Sequence, residues 1–301
     1  MSSPKSPEKF TGHESFTCRY GWFPKVYNAI DLNPFILKDD HQATIALGIG
    51  KNMVKSLQFW AEAAGVISNN RQNGHTVGQL GRYLLSENGK DPYLENTSSM
   101  WLIHWNITTK ANLAAWNIVF GEALLSRFDK STLESILLQR GDNVDKSLAT
   151  STVEQHASIF INSYFQEGRA NDDSLWCPLQ DLDLLRSTKT DNGRIQYFTK
   201  ANLLSSLSEE TFAIILIDYL RMKKSNTVDF NELLNGKFSP GLVLKLDEYH
   251  LRKIIEQTTS NRLKKALRFI DTADTQTITL DFDYIDSDLL LITPESAVLN
   301  D

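Results

Sequence analysis

The stretch at 43–67, which reads ATIALGIGKNMVKSLQFWAEAAGVI, constrains the fold most strongly. A Gly-Ile-Gly sequence at 48–50 permits the tight turn that separates two helices. From Lys51 onward, apolar residues recur at intervals of three and four, which is the spacing of an amphipathic helix. Gly65 favours the end of that helix, and the two apolar residues after it indicate a strand. This order predicts a helix-turn-helix followed by a strand.

The flanking sequence favours a winged helix-turn-helix. The polar segment SNNRQNG at 68–74 can join two short apolar strands as a small β-hairpin wing. A supporting first helix is expected at 25–32, since Pro24 suits a helix start and Pro34 should end the helix. The Gly-Ile-Gly-Lys-Asn sequence does not meet the spacing of a Walker A loop, so an ATP site is not expected there.

The outward side of the second helix carries side chains suited to DNA. Asparagine and glutamine amides can hydrogen-bond an adenine edge, and lysine can contact guanine or a phosphate. An arginine at the tip of the hairpin suits a backbone or minor-groove contact. Many modules of this kind bind only proteins, so protein docking stays open as an alternative. The candidate residues are Lys51, Asn52, Lys55, Ser56 and Gln58 on the helix and Arg71 on the hairpin.

Charge is distributed unevenly along the 301 residues, although the formal net charge is only −6. The segment 44–86 has a local charge of +3, and the segment 221–268 has +6. Residues 271–301 contain eight carboxylates and no Lys or Arg. This charge pattern agrees with a protein that presents two positively charged faces to a nucleic acid. It agrees equally with solvated helix faces followed by an acidic tail.

The remaining sequence predicts a mainly α protein. Amphipathic helices are expected through the middle of the chain, and 277–280 alternates like an edge strand. We divide the chain into a winged-helix domain at 1–110, a helical middle region at 111–170, a linker with little regular structure at 171–193, and a C-terminal α+β domain at 194–301. The last domain is a candidate for a second winged-helix-like unit.

The sequence predicts neither a membrane-spanning segment nor a disulfide framework. The longest aliphatic run, 213–217, is far shorter than the ~20 residues that cross a bilayer. Residues 1–10 lack the apolar stretch of a secretory signal. A cytoplasmic protein without membrane contact is therefore expected. Cys18 and Cys177 have no zinc-ligand spacing and are expected to be reduced packing residues.

Two clusters carry groups that could assist phosphodiester cleavage. His13 and Glu14 form the first, and Arg19 nearby is a cation suited to a DNA phosphate. Such cleavage needs carboxylates, often with a histidine or lysine, to hold magnesium against the phosphate. Neither cluster matches a nuclease signature, so a capped turn and a solvated acidic edge stay open as alternatives. The second cluster is Asp281, Asp283, Asp286 and Asp288. The alternation of side chains along a strand would place Asp281 and Asp283 on one strand face.

The chain contains several distinctive motifs: GHESF at 12–16 with Arg19 and Trp22, LGIGKNMV at 47–54, Trp60, DPYLE at 91–95 and WLIHW at 101–105. Together they resemble a bacterial family found beside DNA phosphorothioation genes, the SspB-like family of phage-defence systems. The most specific is LGIGKNMV at 47–54, and the resemblance extends over roughly 10–291. It implies a role in DNA nicking and two partners, a cysteine desulfurase and an ATPase, in a system that replaces a non-bridging phosphate oxygen with sulfur. No catalytic residue is carried over from the family.

The residue patterns and the family resemblance together predict a DNA-binding component of such a system. This component would recognise DNA and introduce or assist a single-strand nick. His13 and Glu14 are the candidate catalytic residues, and a divalent metal, Mg or Mn, is needed only if the protein nicks DNA. The alternative is a non-catalytic winged-helix adaptor or regulator that docks partner proteins. A homodimer would suit a palindromic site, but the stoichiometry is left open.

Overall fold

The computed structural model describes residues 7–70, 72–142, 148–165, 176–200, 206–272 and 274–292. Helices dominate these residues, and their strands form three small antiparallel sheets. The mainly α class that the sequence predicts is confirmed.

The N-terminal part contains three helices followed by a hairpin. Gly48, at φ 63°, ends the second helix in the left-handed conformation, and the third helix begins directly after Gly50. Ile67 lies opposite Val77 across the hairpin. These bounds agree with the predicted turn and hairpin. The elements are α1 (Trp22–Leu32), a 3-10 helix (Ile36–Lys38), α2 (Asp40–Leu47), α3 (Lys51–Ala63), β1 (Ile67–Asn70), β2 (Gly74–Val77) and α4 (Gln79–Leu85).

The apolar side of α3 packs as its spacing predicts, with Val54, Leu57 and Trp60 buried. The outward placement expected for Ser56 is wrong, because this residue is fully buried and its Oγ donates to the Phe16 carbonyl at 3.3 Å. Trp60 Nε1 donates to the same carbonyl at 3.0 Å. The segment before α1 therefore lies along this side of α3 and covers it.

The middle of the chain is helical and encloses a large aromatic core. Trp101, Trp105 and Trp116 are almost completely buried in it. Asp129 caps the helix at 130–142, since its carboxylate accepts the Thr132 backbone N–H at 2.8 Å. The elements are α5 (Thr97–Lys110), α6 (Ala114–Trp116), a π-helical turn (Asn117–Gly121), β3 (Arg127–Phe128), α7 (Lys130–Asp142) and α8 (Thr150–Tyr164).

A buried chain of hydrogen bonds ties the middle helices to the C-terminal part. Trp116 Nε1 donates to the Tyr164 hydroxyl at 2.9 Å, and this hydroxyl lies 2.7 Å from His104 Nδ1. His104 Nε2 lies 2.9 Å from the Val243 carbonyl and must carry the proton, because a carbonyl only accepts. Nδ1 therefore accepts from Tyr164, and the chain is satisfied when His104 is neutral. Burial lowers the pKa of His104 to about 4, in agreement with this arrangement.

The segment predicted as a linker at 171–193 is structured in its described part. Residues 176–193 contain a 3-10 helix (Pro178–Leu182) and the strand β4 (Leu185–Lys189), which pairs with β5 (Ile195–Thr199) in the order β3-β5-β4. The 3-10 helix packs on α5 and α8 and buries its leucines. Asp181 between those leucines is exposed, and polar residues of this kind give the segment the composition of a linker.

The C-terminal part contains helices around a three-stranded sheet of order β6-β8-β7. The alternating polar and apolar residues at 277–280 predict an edge strand, but β8 is the central strand of this sheet. The alternation arises because Ile278 and Leu280 enter the core while Thr279 stays on the outer face. The elements are α9 (Glu209–Lys223), β6 (Thr227–Asp229), α10 (Phe230–Asn235), α11 (Pro240–Val243), α12 (Glu248–Ser260), β7 (Leu267–Asp271), β8 (Gln276–Leu280), a 3-10 helix (Phe282–Tyr284) and α13 (Ser287–Ile292).

One cluster of buried apolar side chains runs through the N-terminal, middle and C-terminal parts. Cys18 and Cys177 both belong to it and are free thiols, as expected for packing residues. The three parts of the chain therefore share one core. The division of the chain into domains at residues 110, 170 and 193 stays a prediction.

Candidate nucleic-acid interface

The solvent side of α3 presents a small cationic surface. Lys51, Asn52 and Lys55 are all exposed on it. The hairpin that follows α3 turns on Asn70, whose side-chain oxygen accepts the backbone N–H groups of the second and third residues after it, at 3.1 and 3.2 Å. The helix and the hairpin together expose amides and cations, the groups that contact DNA bases and phosphates. Arg71, the predicted contact at the tip, lies outside the described residues.

Lys51 has a counterion in the structure. Its Nζ lies 2.7 Å from the Asp40 carboxylate of α2. This hydrogen bond lowers the pKa of Asp40 and raises that of Lys51, and the charge of Lys55 favours ionised Asp40 further. The side chains are 60% and 46% exposed, so a phosphate can compete for Lys51. The sequence gives no indication that Asp40 pairs with Lys51, since the approach of the two side chains depends on how α2 crosses α3.

Gln58 is held on its own helix. Its Nε2 donates to Glu62 Oε1 at 2.9 Å, and the same oxygen lies 3.0 Å from His75 Nε2 on β2. Burial raises the pKa of Glu62, but hydrogen bonds from His75 and Gln58 outweigh that effect and the pKa is lowered overall. These contacts fasten the hairpin to α3, and Gln58 can contact a base only after it releases Glu62.

The two candidate catalytic residues lie in different environments. His13 is 1% exposed, whereas the side chain of Glu14 is exposed and its backbone has φ 49°. Burial lowers the pKa of His13 to about 4, against a smaller opposing effect of the Glu14 backbone. His13 Nε2 lies 3.1 Å from Nδ1 of His156, a residue of α8. Sequence spacing gives no signal for His156, because 143 residues separate it from His13.

The protons of the two buried histidines can be placed from their partners. The Ala115 backbone N–H donates to His156 Nε2 at 3.2 Å, so Nδ1 of His156 carries the proton and donates to His13 Nε2. His13 Nδ1 then carries its own proton, buried and without a partner in hydrogen-bond geometry among the described residues. Burial lowers the pKa of His156 to about 3, and the neighbouring His13 contributes. Both rings are neutral, and His13 can contact a phosphate only if the segment at 12–17 moves.

The C-terminal aspartates do not converge on one point. Asp281 follows β8 and accepts the Asp283 backbone N–H at 3.2 Å, so the expectation that both lie on one strand face is wrong. The carboxylate of Asp286 pairs with Arg262 at 2.8 Å. Within the described ranges, no group of three or more His, Cys, Asp or Glu side chains could hold a metal ion. These residues therefore do not fit a preformed magnesium or manganese site.

Fold and surface define a mainly α protein with an exposed cationic helix beside a polar hairpin. The chain belongs to the family described as "Protein of unknown function (DUF4007)", which matches residues 10–291. No curated protein matches the chain. In the part of the chain that the structure describes, no helix has the length and apolar character needed to cross a membrane.

Two solved structures share the fold. A magnesium ion-bound SspB crystal structure superposes with a TM-score of 0.80 at 23% sequence identity, covering 93% of this chain and 88% of that chain. A second SspB crystal structure gives a TM-score of 0.79 at 23% identity, covering 93% of this chain and 86% of the other. The fold is therefore SspB-like over nearly the whole chain.

Proposed function

We propose that the protein is the DNA-binding component of a DNA phosphorothioation and phage-defence system, acting with a cysteine desulfurase and an ATPase. The observation that carries this proposal is the exposed set of Lys51, Asn52 and Lys55 on α3. A cationic helix beside a polar hairpin is suited to both groove and phosphate contacts. The SspB-like fold supports the assignment to this kind of system.

The order of elements supports a winged-helix interpretation of α1 to β2. The His75 backbone N–H donates to the Pro34 carbonyl at 2.8 Å, so the segment after α1 lies beside β2 where the first strand of a winged helix would lie. The C-terminal part repeats this order, with β6 beside β8 and β7 beyond it. We assign DNA contact to the first unit, because α3 exposes Lys51, Asn52 and Lys55 together, whereas Arg252 on α12 is paired with two carboxylates, Glu248 and Asp271.

Replacing Lys51 and Lys55 together by alanine should weaken binding to duplex DNA about 10- to 30-fold near physiological salt. The slope of log K against log salt should fall by roughly 1.8, because each lost phosphate contact removes about 0.9. Fluorescence anisotropy across a salt series measures both quantities.

Matched variants separate this effect from a general loss of charge. The double variant Lys130→Ala and Lys189→Ala removes two exposed lysines from other elements and should bind within about twofold of wild type. Asp40→Asn should bind DNA a few-fold more tightly, since it releases Lys51 from its counterion. Wild-type affinity and salt slope in the Lys51/Lys55 variant would show that α3 is not the DNA-contacting helix.

The alternative function is a non-catalytic adaptor that docks partner proteins. The burial of His13, and the use of its Nε2 in the contact with His156, favour this alternative. In that case the protein positions DNA or its partners, and another subunit makes the nick. The candidate catalytic role of His13 and Glu14 stays a prediction.

A plasmid assay distinguishes the two functions. If the protein makes the nick itself, it should convert supercoiled plasmid to relaxed circles in the presence of Mg or Mn, and chelator should stop the reaction. Glu14→Gln should lower nicking at least about tenfold with DNA binding unchanged, since loss of a general acid or base costs about that or more. Glu87→Gln, at another exposed glutamate, is the control, and His13→Gln needs a parallel unfolding measurement because the ring is buried. Binding without any nick would show that the protein is a DNA-reading or scaffolding subunit and that a partner makes the nick.

A further inference from the structure

The three-stranded sheet β3-β5-β4 packs one face on the core and turns the other towards solvent. Phe128 lies opposite Tyr197 across β3 and β5, and the Tyr197 ring centroid lies 5.6 Å from that of Phe165 just after α8. These aromatic residues mark the core face. Because side chains alternate along a strand, Phe198 and the residues opposite it lie on the other face, which we call the outer face of the sheet.

Three arginines lie on the outer face. Arg127 on β3 and Arg186 on β4 are both opposite Phe198, so they flank this residue from the two neighbouring strands. Strands lie about 4.8 Å apart, which places the two arginine backbones about 10 Å from each other. The third arginine, Arg194, accepts the Thr190 N–H with its carbonyl at 2.9 Å, which extends the β4-β5 ladder to this residue. Its even spacing from Phe198 puts it on the same face.

The outer face is positively charged in a protein that is acidic overall. The segment 185–200, which contains β4, β5 and their turn, has four Lys or Arg residues and one carboxylate, Asp191, whereas the whole chain has a net charge of −6. Arg186 pairs with Asp183, yet its side chain stays 42% exposed. Arg194 makes no ion pair with any residue that the structure describes. A locally positive surface of this kind attracts polyanions.

The Arg127 guanidinium is held in place with most of its donors unused. Its Cζ lies 5.5 Å from the centroid of the Phe198 ring, and its Nη1 donates to Gln196 Oε1 at 3.1 Å. The ring and the amide oxygen therefore orient the cation, and its other N–H groups can reach a further acceptor. The same bond occupies the oxygen of Gln196 and leaves the Nε2 donors of this amide for a ligand.

The chemistry of the outer face fits a phosphate backbone better than a protein partner. Thr188 lies opposite Gln196, so a hydroxyl and an amide accompany the arginines. Arginine, threonine and glutamine side chains are among the groups that bind DNA phosphates. A stable protein interface, in contrast, needs large apolar anchors at its centre. Among the residues that the structure describes, the exposed large apolar side chains all belong to elements other than β3, β4 and β5.

Arg19 connects this sheet with α3. It lines a cavity of about 320 Å³ together with Phe16 and Phe165. The Phe16 carbonyl accepts hydrogen bonds from two side chains of α3, and Phe165 packs on Tyr197 of β5. No carboxylate of the described residues pairs with Arg19. A further cation therefore lies on the path from α3 to the sheet.

We propose that the outer face of the β3-β5-β4 sheet is a second DNA contact, which binds the phosphate backbone beyond the part of the duplex held at α3. This inference rests on the proposed function and adds a surface to it. Arg127, Arg186 and Arg194 bind phosphates, and Thr188 and Gln196 supply neutral donors between them. The second contact lengthens the stretch of DNA that the protein covers and increases the number of counterions released on binding.

Salt-dependent binding of the full-length protein to a duplex of about four helical turns tests the contact. The double variant Arg127→Gln and Arg194→Gln should bind about tenfold more weakly near physiological salt, and the slope of log K against log salt should fall by roughly 1.8. Lys189→Gln is the matched control, because Lys189 is an exposed cation of the same sheet on the opposite face. This control should bind within about twofold of wild type.

Photocrosslinking locates the DNA on one face of the sheet. Cys18 and Cys177 are buried, so a benzophenone maleimide labels an introduced surface cysteine selectively. The labelled Thr188→Cys variant should crosslink to the duplex. The labelled Lys189→Cys variant, whose neighbouring side chain lies on the opposite face, should give at least about fivefold less product.

The results separate this proposal from the proposed function. A wild-type salt slope in the arginine variant, or equal crosslinking from positions 188 and 189, would overturn the second contact and leave DNA binding at α3 standing. Failure of the wild-type protein to bind any duplex would overturn both. Thermal unfolding of each variant checks that the substitution leaves the protein folded.

Discussion

Lowering the pH from 7 to 5 is expected to reduce the free energy of unfolding by about 6 kcal/mol, on the order of 2 kcal/mol for each of three buried histidines. Burial lowers the pKa of His13 and His104 to about 4 and that of His156 to about 3. In the unfolded chain each histidine gains its proton near pH 6.5, whereas in the folded protein it stays neutral. The unfolded state therefore binds more protons, and stability falls as the pH drops from 6.5 towards 4.

Urea unfolding followed by tryptophan fluorescence at pH 7, 6 and 5 measures this effect. His104→Gln removes one of the three groups and should flatten the pH dependence by about one third, although the variant is less stable at pH 7 because the Tyr164 and Val243 contacts are lost. His41→Gln, at an exposed histidine, should retain the wild-type dependence. Equal stability at pH 7 and pH 5 would mean that these rings are not held neutral by burial.

Replacing Asp218 by alanine is expected to lower the free energy of unfolding by about 3 kcal/mol. This carboxylate lies on α9 with a side chain 6% exposed. It accepts Trp105 Nε1 at 2.7 Å and pairs with Lys110 Nζ at 3.0 Å, and both partners belong to α5. The variant leaves a buried indole N–H without an acceptor and a lysine without its counterion. The contact between the middle helices and the C-terminal part should weaken accordingly.

Denaturant unfolding of a graded set of variants measures the role of this carboxylate. Asp218→Asn keeps an acceptor for Trp105 and should cost less than Asp218→Ala. Glu256→Ala removes an exposed carboxylate of α12 and should stay within about 0.5 kcal/mol of wild type. A loss below about 1 kcal/mol in Asp218→Ala would show that α5 and α9 are held by apolar packing alone.

The candidate interface on α3 follows from local patterns to a large extent. The Gly-Ile-Gly turn and the apolar spacing after Lys51 predict both the helix and its outward lysines, because these signals act within a few residues of one another. The helical spacing predicts an outward position for Ser56, but this residue is buried because a segment distant in sequence covers it.

Local sequence patterns specify the order of helices, turn and hairpin, the mainly α class, and the side of α3 that carries cations, because spacing and turn chemistry are properties of neighbouring residues. Tertiary contacts, in contrast, bury His13 against His156, give Lys51 the counterion Asp40, and place Arg19 in the wall of a cavity. Hydrogen-bond partners and burial join residues from different elements, and the distance between such residues along the chain carries no signal of their contact.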